Sequence, residues 1–171
     1  MKIVSFGEIM LRLAPQGYLR FTQADTFAAT YGGGEANVAV SLANFGMNAE
    51  FVTKLPKNEL GQSAINSLRS YGVDTSHIAR GGDRIGIYFL EKGASMRPSK
   101  VIYDRANSAI ATAKPADFDW NAILDGADWF HFTGITPALG AGVVDILFKA
   151  LKACHERKIT VSCDISYRRN L

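Results

Sequence analysis

Three consecutive glycines, Gly32-Gly33-Gly34, lead directly into a segment with the periodicity of a helix. Small side chains recur on one stripe of that segment, at Ala36, Ala39, Val40 and Ala43. A strand can pack closely on such a stripe, and glycine permits both positive φ and close approach of a ligand to the backbone. We therefore expect a glycine turn that opens a helix, with Asn37 in the first turn directed at whatever the glycines approach. Glycine runs alone are most often simply flexible turns.

Composition narrows the class of protein. The chain has 171 residues, of which 47% are hydrophobic and 20% charged, as is typical of a soluble globular protein with one domain or a little more. The net charge of +3 and the lack of a Lys/Arg run give no support for a nucleic-acid partner. We find no apolar run long enough to span a membrane and no signal-peptide layout at the N-terminus, so we expect a cytoplasmic protein.

Cysteine and histidine provide no recognisable metal or disulfide pattern. Cys154 and Cys163 form no CxxC motif and fall in different predicted elements, so we expect two buried free thiols. The three histidines, His77, His131 and His155, lie far apart in the sequence without metal-ligand spacing. We therefore predict no metal site in this chain.

Apolar segments alternate between strand and helix patterns along most of the chain. Strands are predicted at residues 2–8, 49–55, 129–135 and 159–165, with a further strand after residues 73–80. Helices are predicted at 58–71, with Asn58 as N-cap and a buried stripe at Leu60, Ala64, Leu68 and Tyr71, at about 120–124, and at 142–158. This order predicts an α/β fold with a parallel sheet and helices on its faces.

Two regions depart from that alternation. Two short strands are predicted between Met10 and Thr30, and a hairpin is predicted from segments 86–91 and 100–105. On the second hairpin strand Val101, Tyr103 and Arg105 share one face, because side chains alternate with a period of two. Tyr88 lies in the middle of the first hairpin strand. These side chains could converge on a ligand, although aromatic residues are also enriched in strands for packing alone.

Polar side chains follow two of the core strands. Glu8 comes directly after the first strand, and Asp164 and Arg168 come at the end of the fifth. Open α/β sheets bind ligands at the carboxyl ends of their strands, so these residues are candidate ligand contacts. A solvated carboxylate at Glu8 and a surface ion pair at the fifth strand remain equally compatible with the pattern.

Taken together, these motifs resemble the ribokinase-like (phosphofructokinase B) sugar kinases. The match rests on Gly33-Gly34-x-x-Asn37-x-Ala39, on Leu42-Ala43-x-x-Gly46 and on Gly61. Within that family, Gly7-Glu8, the hairpin and Asp164-x-Ser166-Tyr167-Arg168 are most similar to 2-keto-3-deoxygluconate kinases. The resemblance implies a Rossmann-like core of parallel sheet and flanking helices plus a small β-sheet lid. The lid would comprise segments 10–31 and 84–108, and residues 1–171 would form the N-terminal part of one kinase domain.

The resemblance also implies a site. Gly33, Gly34 and Asn37 would hold sugar hydroxyls, and Tyr88, Tyr103, Arg105 and Arg168 would hold a sugar acid, with Glu8 and Asp164 as weaker candidates. Planar guanidinium groups suit a carboxylate, which favours a sugar acid over a neutral sugar. The sequence does not separate gluconate from galactonate stereochemistry. Lid sheets in this family commonly pair between subunits, which implies a homodimer.

Two departures from the family pattern bear on activity. Ser166 stands where the family often has Asn, which weakens any metal contact carried over to that position. No Gly-Ala-Gly-Asp turn occurs in this sequence, although in the family that turn carries the catalytic base and the anion hole. We therefore expect no catalytic residue within the chain, and we expect ATP and Mg²⁺ to bind mainly through a missing C-terminal half.

Three other functions are to be compared with the sugar-acid kinase. A fructokinase-type enzyme is the alternative kinase, and a non-catalytic sugar-acid-binding module is the alternative if the chain ends at Leu171. A dinucleotide-binding oxidoreductase is disfavoured, because Asn37 stands where the third glycine of that fingerprint belongs.

Overall fold

A computed structural model of the protein describes residues 1–166. Within that range the chain forms ten strands and four α-helices. The strands are β1 Lys2–Phe6, β2 Met10–Pro15, β3 Phe27–Gly32, β4 Asn48–Val52, β5 Lys54–Leu55, β6 Ala79–Arg80, β7 Ile87–Glu91, β8 Lys100–Asp104, β9 Trp129–Thr133 and β10 Thr160–Asp164. The helices are α1 Gly34–Asn44, α2 Glu59–Arg69, α3 Trp120–Ile123 and α4 Ala141–Glu156.

The main sheet has the strand order β10-β9-β1-β4, and every pairing in it is parallel. Side chains on its two faces belong to two separate apolar clusters. One cluster joins Val4, Phe6 and Phe130 to helices α3 and α4, and the other joins Phe51 to helices α1 and α2. The sheet is therefore covered on both faces by helices, which confirms the predicted α/β class.

Aromatic side chains fill the cluster beneath α3 and α4. The ring of Phe6 meets those of Phe118 and Trp120 edge to face, at centroid distances of 5.5 and 5.4 Å. Phe130 meets Trp120 in the same manner at 5.8 Å. Burying a side chain of this size stabilises the fold by roughly 1.5–3 kcal/mol, so this cluster anchors β1 and β9 side by side.

A second sheet stands apart from the main one and has the order β3-β2-β7-β8. We call it the small sheet. Strand β2 pairs antiparallel with β3 and parallel with β7, and β7 forms a hairpin with β8. The predicted hairpin and the two predicted short strands thus lie in one sheet.

The prediction of one strand over residues 49–55 was wrong. At Thr53 the backbone exchanges partners: the Val52 carbonyl accepts from Gly7, next to β1, whereas the Thr53 carbonyl accepts from Ala79 at 2.9 Å. Strand β4 therefore ends at Val52, and β5 pairs with β6 in a separate two-stranded parallel sheet. Residues 73–80 themselves contain β6, and the next strand along the chain is β7 of the small sheet, so the prediction of a further core strand after residues 73–80 was wrong.

Helix α2 begins as predicted but faces the core with a different stripe. The Asn58 side chain caps it by accepting a hydrogen bond from the Gly61 amide at 3.1 Å. Leu60 and Tyr71 are 45% and 53% exposed, contrary to prediction. The buried residues of the helix are Gly61, Ala64, Ile65 and Leu68. Gly61 lies against the carbonyl of Pro56, where a Cβ atom would overlap it.

Cys154 and Cys163 are both free thiols, as expected, but only Cys154 is buried. Burial raises the pKa of the Cys154 thiol to about 11. Cys163 lies on β10 and is exposed, so the prediction of two buried thiols was wrong for that residue. No helix within residues 1–166 has both the length and the hydropathy needed to cross a membrane.

Candidate functional site

A cavity of about 270 Å³ lies between the carboxyl ends of the main-sheet strands and one face of the small sheet. Strands β1 and β9 are neighbours in the sheet, yet the chain proceeds from β1 toward β4 on one side and from β9 toward β10 on the other. Such a switch point leaves a crevice in which open α/β sheets bind ligands. The described residues that line it are Glu8, Met10, Gly32, Gly33, Gly34, Glu35, Asn37, Tyr88, Val101, Tyr103, Arg105, Ile135, Thr136, Leu139 and Ser166.

The glycine turn forms one wall of this cavity. Gly33 is the N-cap of α1 and has an extended backbone with φ −175°, and none of the three glycines adopts positive φ. The positive φ that glycine permits is therefore not used in this turn. Gly33 is required because a Cβ atom on it would overlap the carbonyl oxygen of Glu8. The turn accordingly lies directly against the end of β1.

Asn37 lies in the first turn of α1, and its amide donates to the Gly33 carbonyl at 2.8 Å. Its exposed side chain lines the cavity beside Gly33 and Gly34. Ala36 and Ala39 are buried behind it, so the helix packs closely on the sheet as the small-residue stripe predicts. The three residues that were expected to hold sugar hydroxyls therefore share one wall.

The opposite wall comes from the small sheet. Tyr88 on β7 pairs with Tyr103 on β8, and their ring centroids are 6.0 Å apart. Arg105 follows β8, and its guanidinium carbon lies 5.6 Å from the centre of the Tyr103 ring, within cation–π range. The structure thus brings Tyr88, Tyr103 and Arg105 to the same cavity. Strand alternation predicts the shared face of Tyr103 and Arg105, and the pairing of β7 with β8 places Tyr88 opposite Tyr103.

Glu8 connects the two walls. The Arg105 guanidinium donates through Nη2 to Glu8 Oε2, and the Ser108 hydroxyl donates to Glu8 Oε1 at 2.7 Å. Glu8 is 4% exposed, and this burial raises the pKa of its carboxyl, while Arg105 and the Ser108 hydrogen bond act in the opposite direction. The carboxyl is accordingly a buried partner of Arg105 and not the solvated group that was the alternative.

Glu35 is a site residue that sequence reasoning missed. It is 3% exposed, and its Oε1 accepts from the Thr133 amide, the Thr133 hydroxyl and the Thr136 hydroxyl, at 3.1, 2.7 and 2.5 Å. Its position in the first turn of α1 also suits a negative charge. A Cβ atom on Gly7 would overlap its carboxylate. In the sequence, only its position next to the glycine turn could have indicated that Glu35 belongs to the site. Helix periodicity does not predict that a Glu is buried.

The end of β10 contributes less than expected. Ser166 lines the cavity, whereas the Asp164 carboxylate accepts from the amide and the hydroxyl of Ser166, at 3.0 and 2.9 Å. Asp164 is exposed and is not among the described lining residues. The predicted contact of Arg168 lies outside the described residues.

The described charges around the cavity do not fit a nucleoside triphosphate. Two carboxylates, Glu8 and Glu35, stand against one guanidinium, that of Arg105, which Glu8 already engages. Across residues 1–166 no three His, Cys, Asp or Glu side chains are grouped as metal ligands. The cavity instead offers hydroxyls, an amide and a guanidinium engaged by Glu8, groups that can hydrogen-bond a polyhydroxylated ligand.

Comparison with known proteins shows which family the chain resembles over almost its whole length. The family model described as "pfkB family carbohydrate kinase" matches residues 1–170. A 2-dehydro-3-deoxygalactonokinase of Haloferax volcanii is 35% identical over 170 residues, covering 99% of this chain and 53% of that protein. A 2-dehydro-3-deoxygluconokinase of Bacillus subtilis is 31% identical over 170 residues, covering 98% and 52%.

Among solved structures, the crystal structure of a 2-dehydro-3-deoxygluconokinase from Thermotoga maritima superimposes with a TM-score of 0.99 at 62% sequence identity. The match covers 100% of this chain and 52% of that one. The chain thus spans about half the length of the curated relatives that it matches.

Proposed function

The chain belongs to the pfkB family of carbohydrate kinases, and on that premise we propose that it supplies the sugar-binding half of a kinase for a 2-keto-3-deoxy sugar acid. The proposed reaction transfers the γ-phosphate of ATP to a hydroxyl of 2-keto-3-deoxygluconate. The observation that carries the substrate class is the convergence of Arg105, Tyr88 and Tyr103 on a cavity whose other wall is the glycine turn and Asn37. The names of the relatives are consistent with it, in both the gluconate and the galactonate series.

Each group has a definite part in binding. The backbone of Gly33 and Gly34 and the amide of Asn37 offer hydrogen-bond partners to hydroxyls on one side of the ligand. Tyr88 and Tyr103 offer hydroxyls and aromatic faces on the other side, and Arg105 offers the positive charge. ATP, when bound, supplies the phosphoryl group, and Mg²⁺ is the expected counter-ion of its phosphates. The described residues do not form that nucleotide site.

A fructokinase-type enzyme is the second candidate, and one observation favours it. Glu8 already neutralises Arg105, so the described part of the cavity carries no uncompensated positive charge for a substrate carboxylate. A neutral sugar would avoid that difficulty. A sugar acid would instead depend on a further cation, the role that the family resemblance gives to Arg168.

The two candidates are distinguished by an ADP-coupled assay of the full-length protein. We expect the rate with 2-keto-3-deoxygluconate or 2-keto-3-deoxygalactonate to exceed that with D-fructose, and Arg105→Ala to reduce kcat/KM for the acid by roughly tenfold or more. A preference for fructose that Arg105→Ala leaves intact would establish the fructokinase reading. Binding of the acid without turnover would favour a non-catalytic binding module.

We also propose that the small sheet mediates a homodimer. Strand β8 is an edge strand with three consecutive large side chains exposed: Val101 at 42%, Ile102 at 45% and Tyr103 at 54%. Unpaired, apolar edge strands favour association with another chain. Sedimentation of the full-length protein tests this: Ile102→Lys should convert a dimer to a monomer, and a monomeric wild-type protein would contradict the proposal.

A further inference from the structure

Glu8 is surrounded more closely than a surface carboxylate or an open ligand contact would be. Gly33 lacks a Cβ where the Glu8 carbonyl oxygen lies, and a Cβ on Gly86 would lie 2.6 Å from Glu8 Oε1. Gly33 and Gly86, which are far apart in the sequence, thus both leave space for Glu8. Ser108, which is 1% exposed, donates to the carboxyl from a third segment.

Both oxygens of Glu8 are already used. Oε1 accepts from Ser108 and Oε2 accepts from Arg105, and the residue is 4% exposed. A sugar hydroxyl could donate to Glu8 only by reaching a carboxyl that is almost fully buried between these two donors. The geometry is therefore unfavourable for Glu8 as a direct sugar ligand.

Arg105 still has capacity for a ligand. Its Nη2 donates to Glu8, while its Nη1 makes no hydrogen bond within residues 1–166. Its side chain is 13% exposed and lines the cavity beneath the Tyr103 ring. An arginine side chain has many rotamers, so holding it in one of them before the ligand arrives reduces the entropy lost on binding.

We propose that Glu8 is a positioning residue that holds Arg105 across the cavity, in the orientation in which its remaining N–H groups meet the carboxylate of a sugar acid. The inference rests on the proposed function, because it takes the ligand of Arg105 to be the carboxylate of a sugar acid. The anchor comes from the end of β1 in the main sheet and the arginine from the end of β8 in the small sheet. The contact therefore also fixes the small sheet relative to the core at the mouth of the site.

A double-mutant cycle in the full-length protein tests the proposal. With 2-keto-3-deoxygluconate, Glu8→Ala should raise KM by about tenfold with a much smaller change in kcat, and KM for D-fructose should stay the same. In the Arg105→Ala background Glu8→Ala should have no further effect, because the residue through which it acts is gone. Independent, multiplicative losses would overturn the proposal and make Glu8 a direct ligand.

Conservative variants separate positioning from a general loss of structure. Glu8→Gln retains an acceptor for Arg105, so KM for the acid should stay within about threefold of wild type. Ser108→Ala leaves the Arg105 contact but removes the second anchor, so a rise of about threefold is expected. If Glu8→Ala does not fold, Ser108→Ala tests the proposal in its place. A rise in KM that is equal for the sugar acid and for D-fructose would overturn the proposal.

Asp104→Asn is the matched control. Asp104 adjoins Arg105 in sequence, but its carboxylate pairs with Arg84 on the exposed side at 2.8 Å. Both KM values should stay at the wild-type level in this variant. A change as large as that of Glu8→Ala would mean that any charge lost near the end of β8 has the same effect, which contradicts a specific role for Glu8.

One arm of the test does not depend on the substrate. In a crystal structure of the ligand-free Glu8→Ala protein, the Arg105 guanidinium should leave its place beneath Tyr103. A guanidinium that stays there would overturn the proposal. If the wild-type protein phosphorylates no sugar acid, the proposed function fails, and the crystal structure still decides whether Glu8 positions Arg105.

Discussion

Gly33 and Glu8 approach each other so closely that a Cβ atom on Gly33 would overlap the carbonyl oxygen of Glu8. Gly33 caps α1 and Glu8 follows β1, so this contact joins the glycine turn to the switch point of the main sheet. The same Glu8 holds Arg105 of the small sheet through its side chain. Glu8 therefore contacts both walls of the cavity: its backbone packs against the glycine turn, and its carboxylate binds Arg105 of the small sheet.

Gly33→Ala should reduce stability, because the new methyl group has to displace a backbone carbonyl that cannot rotate away. Overpacking of this kind costs about 1–3 kcal/mol. Urea unfolding of the purified protein measures the effect as a shift in midpoint.

Gly34→Ala is the control for that variant. Its Cβ would lie 3.4 Å from Thr133 Cγ2, an ordinary contact, and alanine is the better helix former at the start of α1. Its free energy of unfolding should stay within about 1 kcal/mol of wild type. Equal losses in both variants would show that the Glu8 contact is not the cause.

Glu35→Ala should be among the most destabilising substitutions in the site. It removes the acceptor of three buried donors, from Thr133 and Thr136, and leaves them without a partner. We expect a loss of about 3 kcal/mol or more in the free energy of unfolding, measured by chemical denaturation.

Glu59→Ala provides the comparison for Glu35. Glu59 is also an acid in the first turn of a helix, α2, but it is exposed. Its loss removes a favourable interaction with the helix dipole and should cost about 1 kcal/mol or less. A Glu35 variant as stable as the Glu59 variant would argue against the buried network.

The stability of the protein should depend on pH through Glu8. Burial raises the pKa of this carboxyl above its ordinary value of 4.5, so the folded protein holds its proton at a pH where the unfolded chain has released it. The resulting stabilisation is complete below pH 4.5 and is lost as pH rises through the pKa of the folded state.

Comparison with Glu8→Gln isolates this effect, since an amide does not titrate. The difference in unfolding free energy, wild type minus variant, should fall as pH is raised from below 4.5 toward neutrality. Thermal or urea unfolding across that range gives the difference curve. A flat curve, or one that rises with pH, would contradict the assigned direction.

Asn58→Ala should remove the cap of α2 and cost about 1 kcal/mol, because the Gly61 amide loses its side-chain acceptor. Asn66→Ala makes the same chemical change at an exposed position inside that helix. There alanine has the higher propensity, so stability should be unchanged or slightly raised. The urea midpoint should therefore fall in Asn58→Ala and stay the same or rise slightly in Asn66→Ala.

Local patterns predicted most of the secondary structure. The small-residue stripe of α1, the cap at Asn58 and the hairpin of β7 and β8 all depend on residues close together in sequence. The hairpin alternation also placed Tyr103 and Arg105 on one face, since a period of two fixes that relationship within a strand. The pairing register of β7 with β8 adds Tyr88 opposite Tyr103.

The predictions of strand and helix packing were wrong where the outcome depended on partners distant in the sequence. The backbone after Val52 leaves β1 and pairs with β6, which no local pattern indicates. In α2 Gly61 packs against the Pro56 carbonyl and Leu60 faces outward, whereas Tyr71 lies beyond the last residue of the helix and is exposed. Packing between elements decided both outcomes and overrode periodicity.

The sequence by itself determined the α/β class, the glycine turn that opens a helix, and the set of side chains on one face of the small sheet. Only the tertiary structure decided that Glu8 pairs with Arg105, 97 positions later, and that Glu35 accepts from Thr133, 98 positions later. The reason is physical. Spacing along a helix or strand determines which side chains share a face of that element, whereas residues far apart in the sequence meet only when the two sheets and α1 pack together. The glycines at positions 7, 33 and 86 mark where that packing leaves no room for a side chain.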